Sequence, residues 1–355
     1  MSAHFQNMHQ YFTDEPNLKA EFLHLLSTPQ KIVLTSHQNP DGDAFGSSLG
    51  LYALLNHMNH EVNVISPTAH ADYISWMPGT EEVINFQSDV EQGRAKRLIS
   101  EASIIFCLDF SSLGRIGEMK ASVERSAAKI ILIDHHQLPE DFADYVYWND
   151  KAAATCQLIY VLIEKLGLLK YVDTTVATCL YTGILTDTGS FKFESTSKEV
   201  HRVAGELIEK GIDPNRINRK LFDQNTLDRV RFLGYGLKEK LNYLEEYRVA
   251  YFSFSKEELA SYNSKNGDTE GLVNYGLSIA GVVMSAIFIE REDMIKISFR
   301  SVDDFSVSEL SRKHFEGGGH KNAAGGKSLE TLEETVNRFL LILPIIKDQL
   351  IKQPK

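Results

Sequence analysis

Cysteine is scarce in this chain of 355 residues: Cys107, Cys156 and Cys179 are the whole supply, all in apolar surroundings and none in a CxxC pair. An odd count without paired spacing argues against a disulfide framework or a thiolate zinc module and fits reduced core thiols. Long hydrophobic runs are missing too. No stretch approaches the ~18 apolar residues of a membrane span, and the opening MSAHFQNMHQYFTDEP lacks the apolar core of a secretory leader. A cytoplasmic protein without membrane partners is expected. Positive charge is also short: 37 Lys and Arg against 48 Asp and Glu leave a net charge of −11. Long duplex nucleic acid needs a basic surface and is excluded as a partner. A short anionic substrate is not, provided metal ions and a few arginines make its site locally positive.

The remainder, 43% hydrophobic and 24% charged, is the composition of a globular protein. Its length exceeds the ~250–300 residues at which single cores stop growing, so two domains are expected. An opening helix over 16–26 precedes the strand KIVLTS, a helix over 44–56, the strand EVNVIS, a helix over 91–102, the strand SIIFCLD, a turn with Gly114 and Gly117, a short helix and the strand KIILIDHH. This β-α-β-α-β-α-β order is that of an α/β domain with a parallel sheet covered by helices on both faces. Residues 145–148 add an edge strand, and helices over 152–166 and 174–185 lead to Asp187. The pattern is then helical to residue 240, after which YRVAYFSF, VMSAIFIE and DMIKISFR read as strands of a smaller α+β domain closed by a helix over 331–351. The predicted boundaries are a metal-binding domain over 1–225, a helical linker over 226–242 and a substrate-binding domain over 243–355.

Acids and histidines collect where apolar runs end. Asp134, His135 and His136 close KIILI; His37, Asp41 and Asp43 follow KIVLTS; Asp109 follows SIIFCL; Asp187 follows LYTGILT. A lone Asp at such a place ordinarily caps a turn or helix, and Asp43 could cap the helix it precedes. Four clusters at the ends of apolar runs point instead to one metal centre, since ligands of an open parallel sheet gather beyond its carboxyl ends. The spacing of Asp41 and Asp43 suits two cations ~3.5–4 Å apart. The expected ligands are His37, Asp41 and Asp109 for one ion and Asp43, Asp109, His135 and Asp187 for the other, with Asp109 bridging. Oxygen-rich, thiolate-free donors favour manganese or magnesium, and the two imidazoles tilt the choice to manganese. Asp134 is expected behind the metals, accepting a ring N–H. His136 is expected to face the substrate, and Arg115 to donate to a phosphate. Trp76, Trp148 and Cys107 read as core.

The segments SHQNPDGDAFGSSLGL, LDFSSLGRIG, LIDHHQ and YTGILTDTGSF, in this order, resemble the DHH phosphoesterase superfamily. In the second half, Phe299-Arg300-Ser301 and FEGGGHKNAAGG resemble the DHHA-type substrate-binding domain. Two-domain chains of this length are similar to the nanoRNase/pAp-phosphatase group. The resemblance implies that Arg300, Ser301, Gly317, Gly318, Gly319 and His320 hold a terminal nucleotide and its phosphate. It also implies hydrolysis of short oligoribonucleotides, of linear dinucleotides such as pApA and of 3′-phosphoadenosine 5′-phosphate (pAp). An exopolyphosphatase or pyrophosphatase would use the same amino-terminal ligands without needing the glycine arm. A cyclic-dinucleotide phosphodiesterase is a further alternative, a RecJ-like exonuclease would carry a more basic surface, and a nucleotide- or RNA-binding module would be non-catalytic. Homodimerisation stays open.

Overall fold

The computed structural model describes residues 12–265 and 267–353. The chain divides into two compact units, Met1–Gln224 and Asn225–Lys355.

The first unit is built on strands β1 (Lys31–Thr35), β2 (Glu61–Ser66), β3 (Ile84–Asn85), β4 (Ile104–Leu108), β5 (Lys129–Asp134) and β6 (Tyr145–Trp148). They form one six-stranded sheet in the order β3-β2-β1-β4-β5-β6, and every pairing is parallel. Its helices are α1 (Pro16–Leu25), α2 (Gly42–His57), α3 (Gln92–Glu101), α4 (Lys120–Glu124), α5 (Thr155–Lys165), α6 (Thr174–Asp187), α7 (Lys198–Glu209) and α8 (Pro214–Phe222). The expected α/β class holds.

Period-two alternation explains why both faces are covered. Ile32, Leu34, Ile104, Phe106, Ile131 and Ile133 pack on one side with residues of α2, α5 and α6. Val33, Ile105, Cys107 and Leu132 pack on the other with Ala95 and Ile99 of α3 and Val123 of α4. Strands buried on both sides read as continuous apolar runs. The order in which successive strands are added reverses between β1 and β4: β2 and β3 lie on one side of that pair, β5 and β6 on the other. This is the switch point at which a doubly wound sheet leaves a crevice beyond its carboxyl ends.

The second unit contains β7 (Asn242–Leu244), β8 (Val249–Phe254), β9 (Met284–Glu290), β10 (Ile295–Ser301), β11 (Gly318–His320) and β12 (Ala323–Ser328) in the order β11-β12-β10-β9-β8-β7. Its helices are α9 (Leu227–Tyr235), α10 (Lys256–Ser261), α11 (Leu272–Leu277), α12 (Val307–His314) and α13 (Leu332–Ile351). One face of this sheet, with Phe288, Ile297 and Phe299, packs on α12 and α13 through Leu310, Phe339 and Leu343. The opposite face of β8 and β9, with Phe252, Phe254, Ile287 and Ile289, packs on Phe232 and Leu272 of α9 and α11. No helix among the described residues is long and apolar enough to cross a membrane.

Candidate metal centre

Sheet register brings three of the four clusters level. Thr35 pairs with Cys107, and Leu108 with Ile133, so the residues that follow emerge side by side. The Asp109 amide donates to the Ile133 carbonyl at 3.0 Å. Asp109 then turns out of the strand with φ +64, a left-handed conformation that Asp tolerates better than most residues.

The fourth cluster comes from a helix and not from a strand: Asp187 is the last residue of α6. α6 reaches the centre because it packs tightly on α2. A Cβ on Gly46 would lie 2.5 Å from the Cys179 carbonyl oxygen, and one on Gly183 would lie 2.7 Å from Asp43 Oδ1 and would overlap Cys156 Sγ. Bare backbone at these positions is what lets the helices carrying Asp43 and Asp187 converge.

Asp41, not Asp43, caps α2. Its Oδ1 accepts from the amides of Asp43 and Ala44 at 3.1 and 3.0 Å, leaving Oδ2 directed at the centre, 3.8 Å from His37 Nε2. Asp43 is wholly buried. Its carboxylate accepts from the amides of Thr155 and Cys156 at 2.6 and 2.9 Å, the first residues of α5, where unpaired N–H groups and the helix dipole favour an anion.

His37 Nδ1 faces the Gln38 carbonyl at 2.8 Å, and His135 Nδ1 faces the Ala152 carbonyl at 3.1 Å. A carbonyl can only accept, so each ring donates from Nδ1 and turns Nε2, the nitrogen that would ligate a cation, inward. His37 Nε2 lies 3.6 Å from Asp109 Oδ2. His135 Nε2 lies 3.4 Å from Asp109 Oδ1, 3.7 Å from Asp43 Oδ2 and 3.3 Å from Asp187 Oδ2. The two oxygens of Asp109 therefore face two different donor sets, one with His37 and Asp41 and one with Asp43 and His135. Atoms each ~2.1 Å from one ion lie ~3 Å apart at a right angle and farther at wider angles, so the separations suit shared cations.

Charge crowding points the same way. Burial, and then the charges of Asp109 and Asp187, push Asp43 well above the usual carboxylate range. Burial first, with Asp41 and Asp109 adding to it, raises Asp187 to about 6. Burial would lower His37, but Asp109 and Asp41 outweigh it and hold the ring at about 10. The same balance, struck with Asp109 and Asp187, lifts His135 well above its ordinary value. Asp109 itself sits well below the usual range because His135 and His37 overcome its burial. Acids that raise one another so strongly are stabilised by a dication, which binds only deprotonated ligands. The cluster is fit to hold divalent metal.

Around these groups, Asp134 Oδ1 accepts from His136 Nδ1 at 2.8 Å, and His136 is partly exposed while Asp134 is fully buried. Two residues that sequence reasoning did not single out, or assigned to the core, hold the frame. The Thr155 hydroxyl donates to Asp109 Oδ1 at 2.9 Å, and the Trp148 indole donates to the His136 carbonyl at 2.7 Å. A threonine opening an apolar helix after AAA was the available hint for the first. Arg115 is exposed; its backbone carbonyl accepts from the Gln38 amide at 2.9 Å.

In the second unit the glycine-rich stretch is not a loop. Gly317 precedes β11, and Gly318, Gly319 and His320 pair with Gly325, Ala324 and Ala323 of β12. Ala323 also pairs with Arg300 of β10, so Arg300, Ala323 and His320 form one rung and point to one face. Lys296, Ser298, Gly325, Lys327 and Gly318 share that face by register. The result is a floor of small residues edged by cationic ones. Ser301 points the other way and is occupied within the unit: its hydroxyl donates to the Phe305 carbonyl at 2.6 Å and accepts from Asn322 Nδ2 at 3.0 Å.

Comparison with known proteins agrees with this architecture. Residues 31–184 match the DHH family, N-terminal domain, and residues 247–343 match the DHHA1 domain. The chain is a phosphoesterase of the DHH family, a hydrolase of phosphate esters. More narrowly, it belongs to the NrnA group of that family. It is 30% identical to the bifunctional oligoribonuclease and PAP phosphatase NrnA of Thermus thermophilus over 93% of each chain. It is 28% identical to the protein of the same name from Bacillus subtilis, over 87% of this chain and 92% of that one. A solved structure of an exopolyphosphatase-related protein from Bacteroides fragilis is 40% identical with a TM-score of 0.89, covering 94% of this chain and 97% of that one.

Proposed function

We propose that this protein hydrolyses short single-stranded oligoribonucleotides and linear dinucleotides such as pApA to mononucleotides, and removes the 3′-phosphate of pAp. The observation that carries this reading is the shared carboxylate: Asp109 offers one oxygen to each of two acid–imidazole donor sets. In this reading His37, Asp41 and Asp109 hold one divalent cation, and Asp43, Asp109, His135 and Asp187 a second, manganese being the best match to oxygen donors with two imidazoles. Such ions supply positive charge for the phosphoryl oxygens and a water poised for in-line attack.

The chain's own groups do the rest. The carbonyls of Gln38 and Ala152 fix the ligand rings, and Thr155 fixes Asp109. Asp134 holds His136 through Nδ1, which presents Nε2 to deliver a proton to the leaving oxygen. Arg300 and His320, on one rung of the second sheet, grip the nucleotide, with the glycine floor admitting its sugar-phosphate closely. Ser301 positions this strand end through Phe305 and Asn322.

The test is turnover by purified protein with Mn2+ against RNA of graded length, linear and cyclic di-adenylate, pAp, pyrophosphate and polyphosphate. The expected result is cleavage of di- to pentanucleotides and pAp, with long RNA resistant. The exopolyphosphatase-related relative motivates the competing outcome: turnover of polyphosphate with none of pApA or pAp would overturn the nucleotide reading.

A further inference from the structure

The segment after Asp187 has an unusual backbone. Gly189, Ser190 and Phe191 take φ of +55, +61 and +62 in succession, a conformation that residues other than glycine rarely adopt and that concentrates at functional sites. Thr188, wholly buried, is the hub of the turn. Its hydroxyl accepts from the Phe191 amide at 3.0 Å, and its carbonyl accepts from the amides of Lys192 and Phe193 at 2.8 and 3.0 Å. The turn is therefore a fixed one.

Its two aromatic residues have different fates. Phe191 is packed inward, stacked on His201 at 5.4 Å and tilted against Tyr181 at 6.1 Å. Phe193 is 42% exposed. A Cβ built on Gly189 would lie 2.5, 2.6 and 2.8 Å from Cζ, Cε1 and Cε2 of the Phe193 ring. Near-equal distances to the tip atom and both its neighbours put Gly189 over the face of the ring; an approach along its edge would leave the Cε atoms far behind Cζ. One face of the ring thus rests on bare glycine backbone, two residues from a candidate metal ligand, and the accessible surface lies on the rest. A lone exposed apolar residue means little. Leu138, 61% exposed and two residues past His136, has no π face to offer. Phe193 combines an aromatic plane, a strained and hydrogen-bonded mount and a place in the turn that follows Asp187.

We propose that Phe193 is a nucleobase platform, its open face stacking on a base of the nucleotide whose phosphate lies at the acidic centre. Stacking on an aromatic side chain is tolerant of base identity, because every base has a π face. This site would select for a base being present and not for which base it is. The inference rests on the oligonucleotide reading above.

The experiment is a cycle between enzyme and substrate. KM and kcat with Mn2+ are measured for pApA and for its analogues with an abasic residue at either position, using wild-type protein, Phe193→Ala and Phe193→Leu. For wild-type protein, removing the stacked base should raise KM on the order of 5- to 100-fold. For both variants KM for pApA should rise comparably with kcat little changed, and removing that base should then cost nothing further. Phe193→Leu keeps the bulk over Gly189, so it separates lost stacking from a disturbed turn, and Phe193→Trp should restore the dependence on the base. Variants that lose the same factor on pApA and both abasic analogues, or lose nothing, would overturn the platform alone. Wild-type protein inert on every nucleotide would overturn the underlying reading.

Discussion

Asp109 carries more of the proposed chemistry than any other side chain of the first unit. It faces both donor sets, takes a hydrogen bond from Thr155 and holds a left-handed backbone at the end of β4. That conformation decides which substitution is informative. Alanine at φ +64 would add a backbone cost of roughly 1–2 kcal/mol, whereas Asn tolerates the left-handed region. Asp109→Asn should therefore fold with an unchanged circular dichroism spectrum while phosphoester turnover falls by at least ~100-fold, beyond the loss typical of groups that only support ligands. Turnover within ~3-fold of wild type would contradict its role. Residues that stand where an apolar strand meets a loop were visible in the sequence, because a buried acid or imidazole there needs a partner. Thr155 and Trp148 were not, since their partners, Asp109 and the His136 carbonyl, lie 46 and 12 positions away, and nothing in the local pattern reveals them.

At the scale of elements, the contact between α2 and α6 sets the geometry of the centre. Gly183→Ala would force its methyl against Asp43 Oδ1 and Cys156 Sγ, where overpacking costs about 1–3 kcal/mol. The melting temperature should fall, and Mn2+ affinity measured by titration calorimetry should fall with it. Gly205 in α7 is the control: nothing beyond its chain neighbours and the surrounding backbone of α7 lies within 4 Å of its Cβ position, so Gly205→Ala should stabilise by roughly 0.5–1 kcal/mol without changing Mn2+ affinity. Equal behaviour of the two variants would show that helix propensity and not close approach governs these positions. The six parallel-sheet strands differed in legibility for a physical reason. Long β-branched runs announce themselves, whereas β3 has two residues and exists through its pairing with β2. Likewise β11 and β12, GGH and AAGGKS, have almost no intrinsic strand preference, and the ladder with β10 imposes their conformation. Asp187 was found at the end of an apolar run, but the run is helical, and only the packing of α6 on α2 explains how it reaches the sheet.

For the molecule as a whole, the gathering of Asp41, Asp43, Asp109, Asp134 and Asp187 around three imidazoles burdens the fold of the first unit, and divalent ions should relieve it. Mn2+ at 100 times its Kd adds ~2.7 kcal/mol to a protein that binds it only when folded. For a unit of this size that is roughly 5–10 °C in melting temperature. Scanning calorimetry should show EDTA lowering the transition of the first unit by that amount and leaving the second unit's transition in place. A scan insensitive to EDTA and Mn2+ alike would mean that the acids are not a cation site. The two-unit plan was legible from length and from the shift in strand pattern, and the α/β class from the alternation of runs. That the β10–β12 end of one face of the second sheet carries small and cationic residues emerged only from register.

The most direct test is anomalous diffraction at the manganese edge from crystals grown with Mn2+. Two peaks are predicted, one bounded by His37, Asp41 and Asp109 and the other by Asp43, Asp109, His135 and Asp187, with Asp109 reaching both. A single peak, or peaks away from Asp109, would contradict the account.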